Sequence, residues 1–360
     1  MRPIYVLGVF IPVAIALELA HAGPVVVFGA AALAVIPCAA VMGEATEAIA
    51  ARTGPGIGGL LNVTFGNAPE LIIAFFALIE GLQEVVKASI VGSIIGNILL
   101  VMGAAMFVGG LPREKQTFSQ TAANAQSAML LLALAALIFP AIFQLIHGGG
   151  LPAVGEERVD FGSDLEKLSF GVAIVLLISY VAGLIFSLKT HRDVFNPYSE
   201  GDEEETHHWP VARAAVYLAL AAVAVGVMSE ILVGSISEAS EDIGLSQFFV
   251  GVFVVAIVGN AAEHWVAVLV AAKDKMDLAV NIAIGSSAQI ALFVAPLLVL
   301  VSFVLGPDPM ALVFNGYEIG ALLFAVMIGN LVTQEGESNW FEGVQLMALY
   351  AVLGLVFYFA

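Results

Sequence analysis

The chain has 360 residues, of which 60% are hydrophobic and only 12% are charged, and its mean hydropathy is +1.00. A soluble protein carries about twice that charged fraction, so too few polar residues are present to cover a surface in water. The formal net charge of −18 argues against nucleic acid as a partner, and the single cysteine, Cys38, excludes an intramolecular disulfide or a thiolate zinc site. The composition predicts an all-α polytopic membrane protein.

Apolar runs long enough to cross the bilayer recur along the chain. A spanning helix needs about 20 residues to cross about 30 Å of hydrocarbon. The first run lacks a convincing cleavage site, which favours a retained helix over a signal peptide without excluding the latter. The second and seventh runs are longer than a bilayer needs and predict tilt or protrusion. The eleven predicted helices are 4–21, 24–50, 57–80, 85–111, 121–146, 166–189, 209–238, 246–272, 276–305, 313–334 and 339–359.

The basic residues indicate an orientation. With the amino terminus inside, nine of the twelve Lys and Arg residues fall on the inner side of the membrane. This positive-inside bias predicts a cytoplasmic amino terminus and, for eleven helices, a carboxyl terminus outside. The inner residues are Arg2, Arg52, Arg113, Lys115, Lys189, Arg192, Arg213, Lys273 and Lys275, and the outer ones are Lys87, Arg158 and Lys167.

Two longer polar connections separate the apolar runs. The outer one, 148–167, is predicted to be an ordinary loop. The inner one contains YSEGDEEETHHW, with five acidic residues between 200 and 205. A solvated acidic linker is the simpler interpretation, and a surface that collects cations near the cytoplasmic mouth is the functional one. Metal binding by His207 and His208 in this segment has little support.

A motif occurs twice at a fixed offset. TFGNAPEL at 64–71 contains Asn67 and Glu70, and AIVGNAAEH at 256–264 contains Asn260 and Glu263, each 193 residues further on. The same offset aligns GSI at 92–94 with GSS at 285–287. Helices two to six and seven to eleven are therefore predicted to form two five-helix repeats, preceded by one extra helix. Because five is odd, the second repeat must be inverted, as in secondary transporters that bind their substrate at the repeat interface.

The predicted organisation has four parts. Residues 1–22 form the extra helix, 23–192 the first repeat, 193–208 the acidic cytoplasmic linker, and 209–360 the second repeat.

The repeated motif has the chemistry of a cation site. Carboxylates in membrane helices are costly and mark functional positions. Gly66 and Pro69 weaken the helix beside Glu70 and free backbone carbonyls. Carboxylate, amide and carbonyl oxygens are the ligands that Ca²⁺ prefers. Protons compete with the cation for the same oxygens. The predicted metal ligands are Glu70, Glu263, Asn67 and Asn260, and the predicted proton-coupling residues are Glu70 and Glu263.

Further polar residues are candidates for the pathway or for support of the site. For the small residues the alternative is close helix packing. Glu44 and Glu230 occupy matching places in helices two and seven, and the alternative for these acids is an interfacial position near a helix end. For the histidine it is packing with Trp265 or a backbone carbonyl. These candidates are Glu44, Glu230, Asn97, Ser93, Ser286, Gln289 and His264.

The motifs resemble those of a known family. GNAPELIIAFFAL, GNAAEHW and GSSAQIALFVAPLLVL are similar to the two alpha-repeat regions of the calcium/proton exchanger family, within the calcium/cation antiporter superfamily, and GEATEAIAARTG strengthens the match. The resemblance covers helices two to eleven. It implies an eleven-helix fold with a cytoplasmic amino terminus, a cytosolic acidic linker, and alternate binding of calcium and protons by Glu70 and Glu263.

Two details of the motifs refine this resemblance. Sodium/calcium exchangers usually have serine where Asn67 and Asn260 stand here, which favours proton coupling. Ala262 stands where the first copy has Pro69, an asymmetry that the family shares. The two helices are therefore not expected to kink equally.

The sequence thus predicts a secondary antiporter that exports cytosolic Ca²⁺ in exchange for H⁺ across a prokaryotic cell membrane, without a cofactor and without enzymatic activity. Sodium coupling, Mn²⁺ as the substrate and a passive cation channel remain as alternatives. An intramembrane metal hydrolase using Glu263 and His264 lacks paired histidines at HExxH spacing. Stoichiometry and oligomeric state are left open.

Overall fold

A computed structural model describes residues 3–156, 162–190 and 209–360. Within these ranges the chain is almost wholly helical. The predicted acidic linker at 193–208, including His207 and His208, lies outside the described residues, as do Arg2, Arg158 and Arg192.

The first half of the chain begins with a 3-10 segment, Pro3–Val9. It continues with α1 (Phe10–Leu19), α2 (Pro24–Gly66), α3 (Ala68–Ile79), α4 (Gln83–Ile95), the π-helical segment π1 (Gly96–Val101), α5 (Met102–Gly110), strand β1 (Gln116–Thr117), α6 (Gln120–Ile146), α7 (Ser163–Ile185) and π2 (Phe186–Thr190).

The second half has a similar succession of elements. It contains α8 (Val211–Ile243), α9 (Gln247–Phe249), π3 (Val250–Val255), α10 (Ala256–Ala272), α11 (Met276–Gln289), π4 (Ile290–Val294), α12 (Ala295–Leu305), α13 (Gly316–Thr333), strand β2 (Glu337–Ser338) and α14 (Trp340–Phe359).

The helices confirm a polytopic membrane protein. In the part of the chain that the structure describes, nine helical stretches are long and apolar enough to cross a membrane. Two further apolar helices, Ile4–Leu19 and Ala68–Ile79, are shorter than a span requires. The predicted number of eleven crossings therefore stays a prediction.

The structure differs from the sequence prediction between residues 50 and 68. The sequence predicts separate helices at 24–50 and 57–80, but α2 continues unbroken to Gly66, and α3 starts at Ala68. Gly54 and Pro55 suggest a loop, yet membrane helices tolerate Gly and Pro better than soluble ones do. The helical break falls instead within the repeated motif.

Lys87 lies in a helix, as predicted by the apolar run 85–111, and the charge pattern counts it with the outer side of the membrane. In the structure it lies inside α4 and is only 8% exposed. Glu84, one turn earlier on the same helix, is buried as well and interacts electrostatically with it. The acidic neighbour helps to permit the burial of Lys87, which the charge count does not address.

The chain divides into two compact units. The first comprises the described residues up to Phe76, Val181–Gly244 and Val258–Ala262. Its main feature is the packing of α2 along α8. A buried cluster at this contact consists of Cys38, Met42, Ala68, Ala221 and Val225.

The second unit comprises Ala77–Tyr180, Leu245–Ile257 and Glu263–Ala360. Its centre is α4, which is buried along all 13 residues. Gly92 allows this helix to approach π3 so closely that a Cβ atom there would overlap the backbone of Val252. At one end of the unit β1 and β2 form an antiparallel ladder, with Gln116 opposite Ser338.

The elements of the second unit follow the offset of the sequence motif. The first residues of α4 and α11, Gln83 and Met276, are 193 residues apart. The first residues of α5 and α12, Met102 and Ala295, have the same separation. A π-helical segment separates α4 from α5, and another separates α11 from α12. The repeats at 23–192 and 209–360 stay a prediction.

Candidate ion-binding site

The first copy of the motif lies at a break between two helices. α2 ends at Gly66 and α3 begins at Ala68, which leaves Asn67 between them with φ −96° and ψ 20°. Asn67 is 1% exposed. The predicted weakening of the helix by Gly66 and Pro69 is confirmed, because the regular helical backbone stops here.

Glu70 occupies the first turn of α3 and is 9% exposed. The amino-terminal end of a helix carries a partial positive charge, which favours a carboxylate in this position. The break at Asn67 creates this helix start in the middle of an apolar region. The local fold therefore offsets part of the cost of burying Glu70.

The second copy contacts the first within the first unit. A Cβ atom placed on Gly259 would lie 3.2 Å from Cγ of Glu70 and 3.6 Å from Cδ1 of Ile73. The glycine thus leaves the space that the Glu70 side chain occupies. The next residue, Asn260, is 0% exposed. Three of the four predicted ligands, Asn67, Glu70 and Asn260, are therefore buried in this unit.

The fourth predicted ligand, Glu263, has its own surroundings in the second unit. Its carboxylate is hydrogen-bonded to the side chain of Ser286 on α11. Its Oε2 atom is shielded from solvent and has no hydrogen-bond partner among the described residues. Ser286, which the sequence offers as a supporting residue, thus contacts a predicted ligand.

Another contact joins α10 to π1. Nε2 of His264 lies 3.1 Å from Oδ1 of Asn97, and Asn97 is almost completely buried. Because an amide oxygen can only accept, the Nε2–H group of His264 is the donor. The sequence marks both residues as candidates but does not pair them, since they are 167 residues apart.

The remaining candidates lie on α2, α4, α8 and α11. Ser93 is buried in α4, and Gln289 is half-buried at the end of α11. Glu44 on α2 is half-buried, whereas Glu230 on α8 is exposed. The role of Glu44 and Glu230 in lining an access path stays a prediction.

The helices around the two motif copies also differ, as expected from Pro69 and Ala262. The first copy contains the break at Asn67. α10 runs from Ala256 to Ala272 without a break, although π3 directly precedes it. The predicted inequality of the two helices is confirmed.

These side chains supply hard oxygen donors of the kind that Ca²⁺ prefers, from carboxylates and amides. Among the described residues, no group of three or more His, Cys, Asp or Glu side chains is arranged to hold a metal ion.

The apolar helices define a polytopic membrane protein, and each copy of the repeated motif contains a glutamate, Glu70 or Glu263. The chain belongs to the sodium/calcium exchanger protein family, whose sequence model matches residues 23–189 and 213–359.

Named relatives match the whole chain. It is 45% identical to a Ca²⁺/H⁺ antiporter of Synechocystis, over 98% of this chain and 96% of the relative. It is 42% identical to the Ca²⁺/H⁺ antiporter ChaA of Bacillus subtilis, over 97% and 96% of the two chains.

Solved structures agree with the fold. The structure of native YfkE superposes with a TM-score of 0.83 at 38% identity, covering 99% of this chain and 100% of that chain. A structure titled as the H⁺/Ca²⁺ exchanger CAX superposes with a TM-score of 0.72 at 13% identity, covering 99% and 91% of the chains, and supports the fold alone.

Proposed function

We propose that this protein is a secondary antiporter that exchanges Ca²⁺ for H⁺, and that Glu70 and Glu263 bind the cation or protons in turn. The relatives from Synechocystis and Bacillus subtilis carry the name Ca²⁺/H⁺ antiporter and match nearly the full chain. Both bacterial relatives favour a prokaryotic membrane as the location.

The observation that carries the assignment of residues is the position of Glu70 against Gly259. The acid of the first motif copy lies beside the backbone of the second copy, in an apolar part of the chain. A buried acid beside a helical break and a glycine suits an ion site, because a cation ligand must be shielded from lipid and close to other oxygen donors.

The chemistry of exchange follows from the cost of a bare carboxylate in a low-dielectric environment. Either protons or a cation must neutralise the acids, and the two compete for the same oxygens. If the occupied site opens to one side of the membrane at a time, release of one ion species requires uptake of the other. Asn67 and Asn260 provide amide oxygens, and Ser286 orients Glu263 by its hydrogen bond.

The proposal includes an arrangement in the membrane. Residues 23–192 and 209–360 form inverted repeats after one extra helix. The amino terminus and the linker at 193–208 face the cytoplasm, and the carboxyl terminus faces outside. The two separate matches of the family model support the repeats, and the distribution of Lys and Arg supports the orientation.

Transport in proteoliposomes tests this function. Vesicles containing the purified protein and an acidic interior should accumulate Ca²⁺ from a neutral medium, and collapse of the pH gradient should stop accumulation. A sodium gradient of the same size should not replace the pH gradient, and Mn²⁺ should compete less well than Ca²⁺. Equilibration without accumulation would instead indicate a channel, and accumulation driven only by sodium would contradict proton coupling.

A further inference from the structure

The turn between α10 and α11 has a strained backbone at Asp274. The N–H of Asp274 donates to the carbonyl of Ala271 at 3.0 Å, and the N–H of Lys275 donates to the carbonyl of Val270 at 3.0 Å. These two bonds form a Schellman motif, which requires a left-handed conformation at Asp274, and φ there is 64°. This conformation suits glycine and is strained for a residue with a Cβ atom.

The side chain of Asp274 accepts two donors from the segment that follows α5. Nε2 of Gln116 donates to Oδ1 of Asp274 at 2.9 Å. Nε of Arg113 lies 3.1 Å from the same oxygen and forms an ion pair with it. An exposed ion pair alone contributes little, but Gln116 is only 2% exposed, so its amide group is shielded from water. We call Arg113, Gln116 and Asp274 the Asp274 cluster, whose contacts offset the strain of the turn.

The donors of the Asp274 cluster also bind the end of α10 directly. The last carbonyls of a helix lack partners within the helix. Nε2 of Gln116 donates to the carbonyl of Ala271 at 3.1 Å, and Nη2 of Arg113 donates to the next carbonyl, that of Ala272, at 3.4 Å. A Cβ atom on Gly109 of α5 would overlap the carbonyl oxygen of Ala271. The end of α10 is thus held against α5 with no side chain between the two backbones.

The start of α11 is held by the same part of the chain. The N–H of Ser119 donates to Oδ1 of Asp277 in the first turn of α11. One turn further on, Nε2 of Gln126 in α6 donates to Oδ1 of Asn281. Both helices that meet at the turn are therefore attached at this end to α5, α6 and the segment between them.

We propose that Asp274 is a positioning residue for exchange: its contacts fix the end of α10 to α5 and thereby hold Glu263 in the geometry that binds Ca²⁺. Glu263 lies on α10, 11 residues before Asp274, and the helix between them is unbroken up to Ala272. A rigid helix transmits a displacement of one end along its length. If the contacts at Asp274 are lost, α10 can turn or slide, and less of the protein has the ligand in place before the cation arrives. This inference rests on the proposed antiport function.

Asp274→Gly separates positioning from stability. Glycine adopts the left-handed conformation without strain, so the turn is kept while both side-chain contacts are lost. We expect a several-fold higher KM for Ca²⁺ in proteoliposomes under a pH gradient, with a maximal rate and a melting temperature in detergent close to those of the wild type. Asparagine tolerates the same conformation and keeps Oδ1 as an acceptor, so Asp274→Asn should restore most of the wild-type KM.

Two further variants complete the experiment. His21 lies in the turn between α1 and α2, is exposed and has φ 49°, so His21→Gly relieves a comparable strain without altering the Asp274 cluster. This matched control should keep the wild-type KM. Gln116→Met keeps the length of the side chain and removes the Nε2 donor, and it should raise the KM as Asp274→Gly does.

The outcomes are distinct. A wild-type KM in folded Asp274→Gly would contradict the proposal, and so would a lower melting temperature with an unchanged KM, which indicates a structural role only. An equally raised KM in Asp274→Asn would contradict it as well, because the acceptor would then be irrelevant. If Asp274→Gly does not fold, the KM of Gln116→Met decides in the same way. Absence of pH-driven uptake by the wild-type protein would instead refute the proposed function, so the two failures can be told apart.

Discussion

The hydroxyl of Ser287 lies 3.4 Å from the backbone carbonyl of Ile94, and these residues are separated by 193 positions, as are Glu70 and Glu263. Equivalent positions of two repeats can touch only near an axis that relates the repeats. The contact therefore supports the proposed repeats, because it joins the two aligned segments, 92–94 and 285–287. The hydroxyl also lies 2.8 Å from the carbonyl of Ala283 in its own helix, so Ser287 is satisfied locally as well.

Removing either motif carboxylate should abolish exchange. Glu70→Gln and Glu263→Gln keep the size of the side chain and remove the negative charge for which protons and Ca²⁺ compete. We expect neither variant to accumulate Ca²⁺ under a pH gradient, although both should elute as folded protein in detergent. Glu337→Gln, at the exposed ion pair with Lys115, is the control and should transport normally. Near-normal uptake by both motif variants would show that the ligands are elsewhere.

The space beside Glu70 can be tested through Gly259. A methyl group in Gly259→Ala would lie 3.2 Å from Cγ of Glu70 and would displace the acid by a few tenths of an ångström. We expect a several-fold loss of Ca²⁺ uptake with little change in thermal stability. Gly234→Ala is a matched control on α8, since no atom lies within 4 Å of its added methyl group. Equal uptake by the two alanine variants would argue against a functional role for this contact.

The contact between Asn97 and His264 predicts energetic coupling. Asn97→Ala and His264→Ala each remove one partner of the 3.1 Å contact, so their combined effect should be smaller than the sum of the single effects. We expect a coupling of about 1 kcal/mol in a double-mutant cycle on the KM for Ca²⁺. Strict additivity would mean that the two side chains act independently.

Gly92 should be essential for packing. Gly92→Ala places a methyl group onto the backbone of Val252, which must move, and we expect a loss of about 1–3 kcal/mol in the free energy of unfolding. Thermal unfolding in detergent measures this change. Gly96→Ala, one turn further on, has no atom within 4 Å of the added methyl group and should be tolerated. Similar melting temperatures for the two variants would contradict this close helix contact.

The sequence predicts the class of fold and a weakened helix at the first motif copy for physical reasons that are local. Charge scarcity and long apolar runs identify membrane helices, and Gly66 with Pro69 marks the point where α2 ends. The continuity of α2 through Gly54 and Pro55 was not predictable in this way, because the same residues favour a loop in water and are tolerated within a membrane helix.

Contacts between residues far apart in the sequence could not be predicted either. Asn97 and His264 become neighbours only when π1 and α10 are placed. Such pairs depend on tertiary packing, which a single sequence leaves undetermined.

The helical break at Asn67 has no counterpart in α10, and this inequality bears on the energetics of a transport cycle. Inverted repeats with identical backbones would exchange conformations between the two access states, which would then be equal in free energy. Here the regular helix is interrupted two residues before Pro69, whereas α10 continues through its copy of the motif. We expect the empty carrier to favour one side of the membrane, so that its inward and outward steps proceed at unequal speeds.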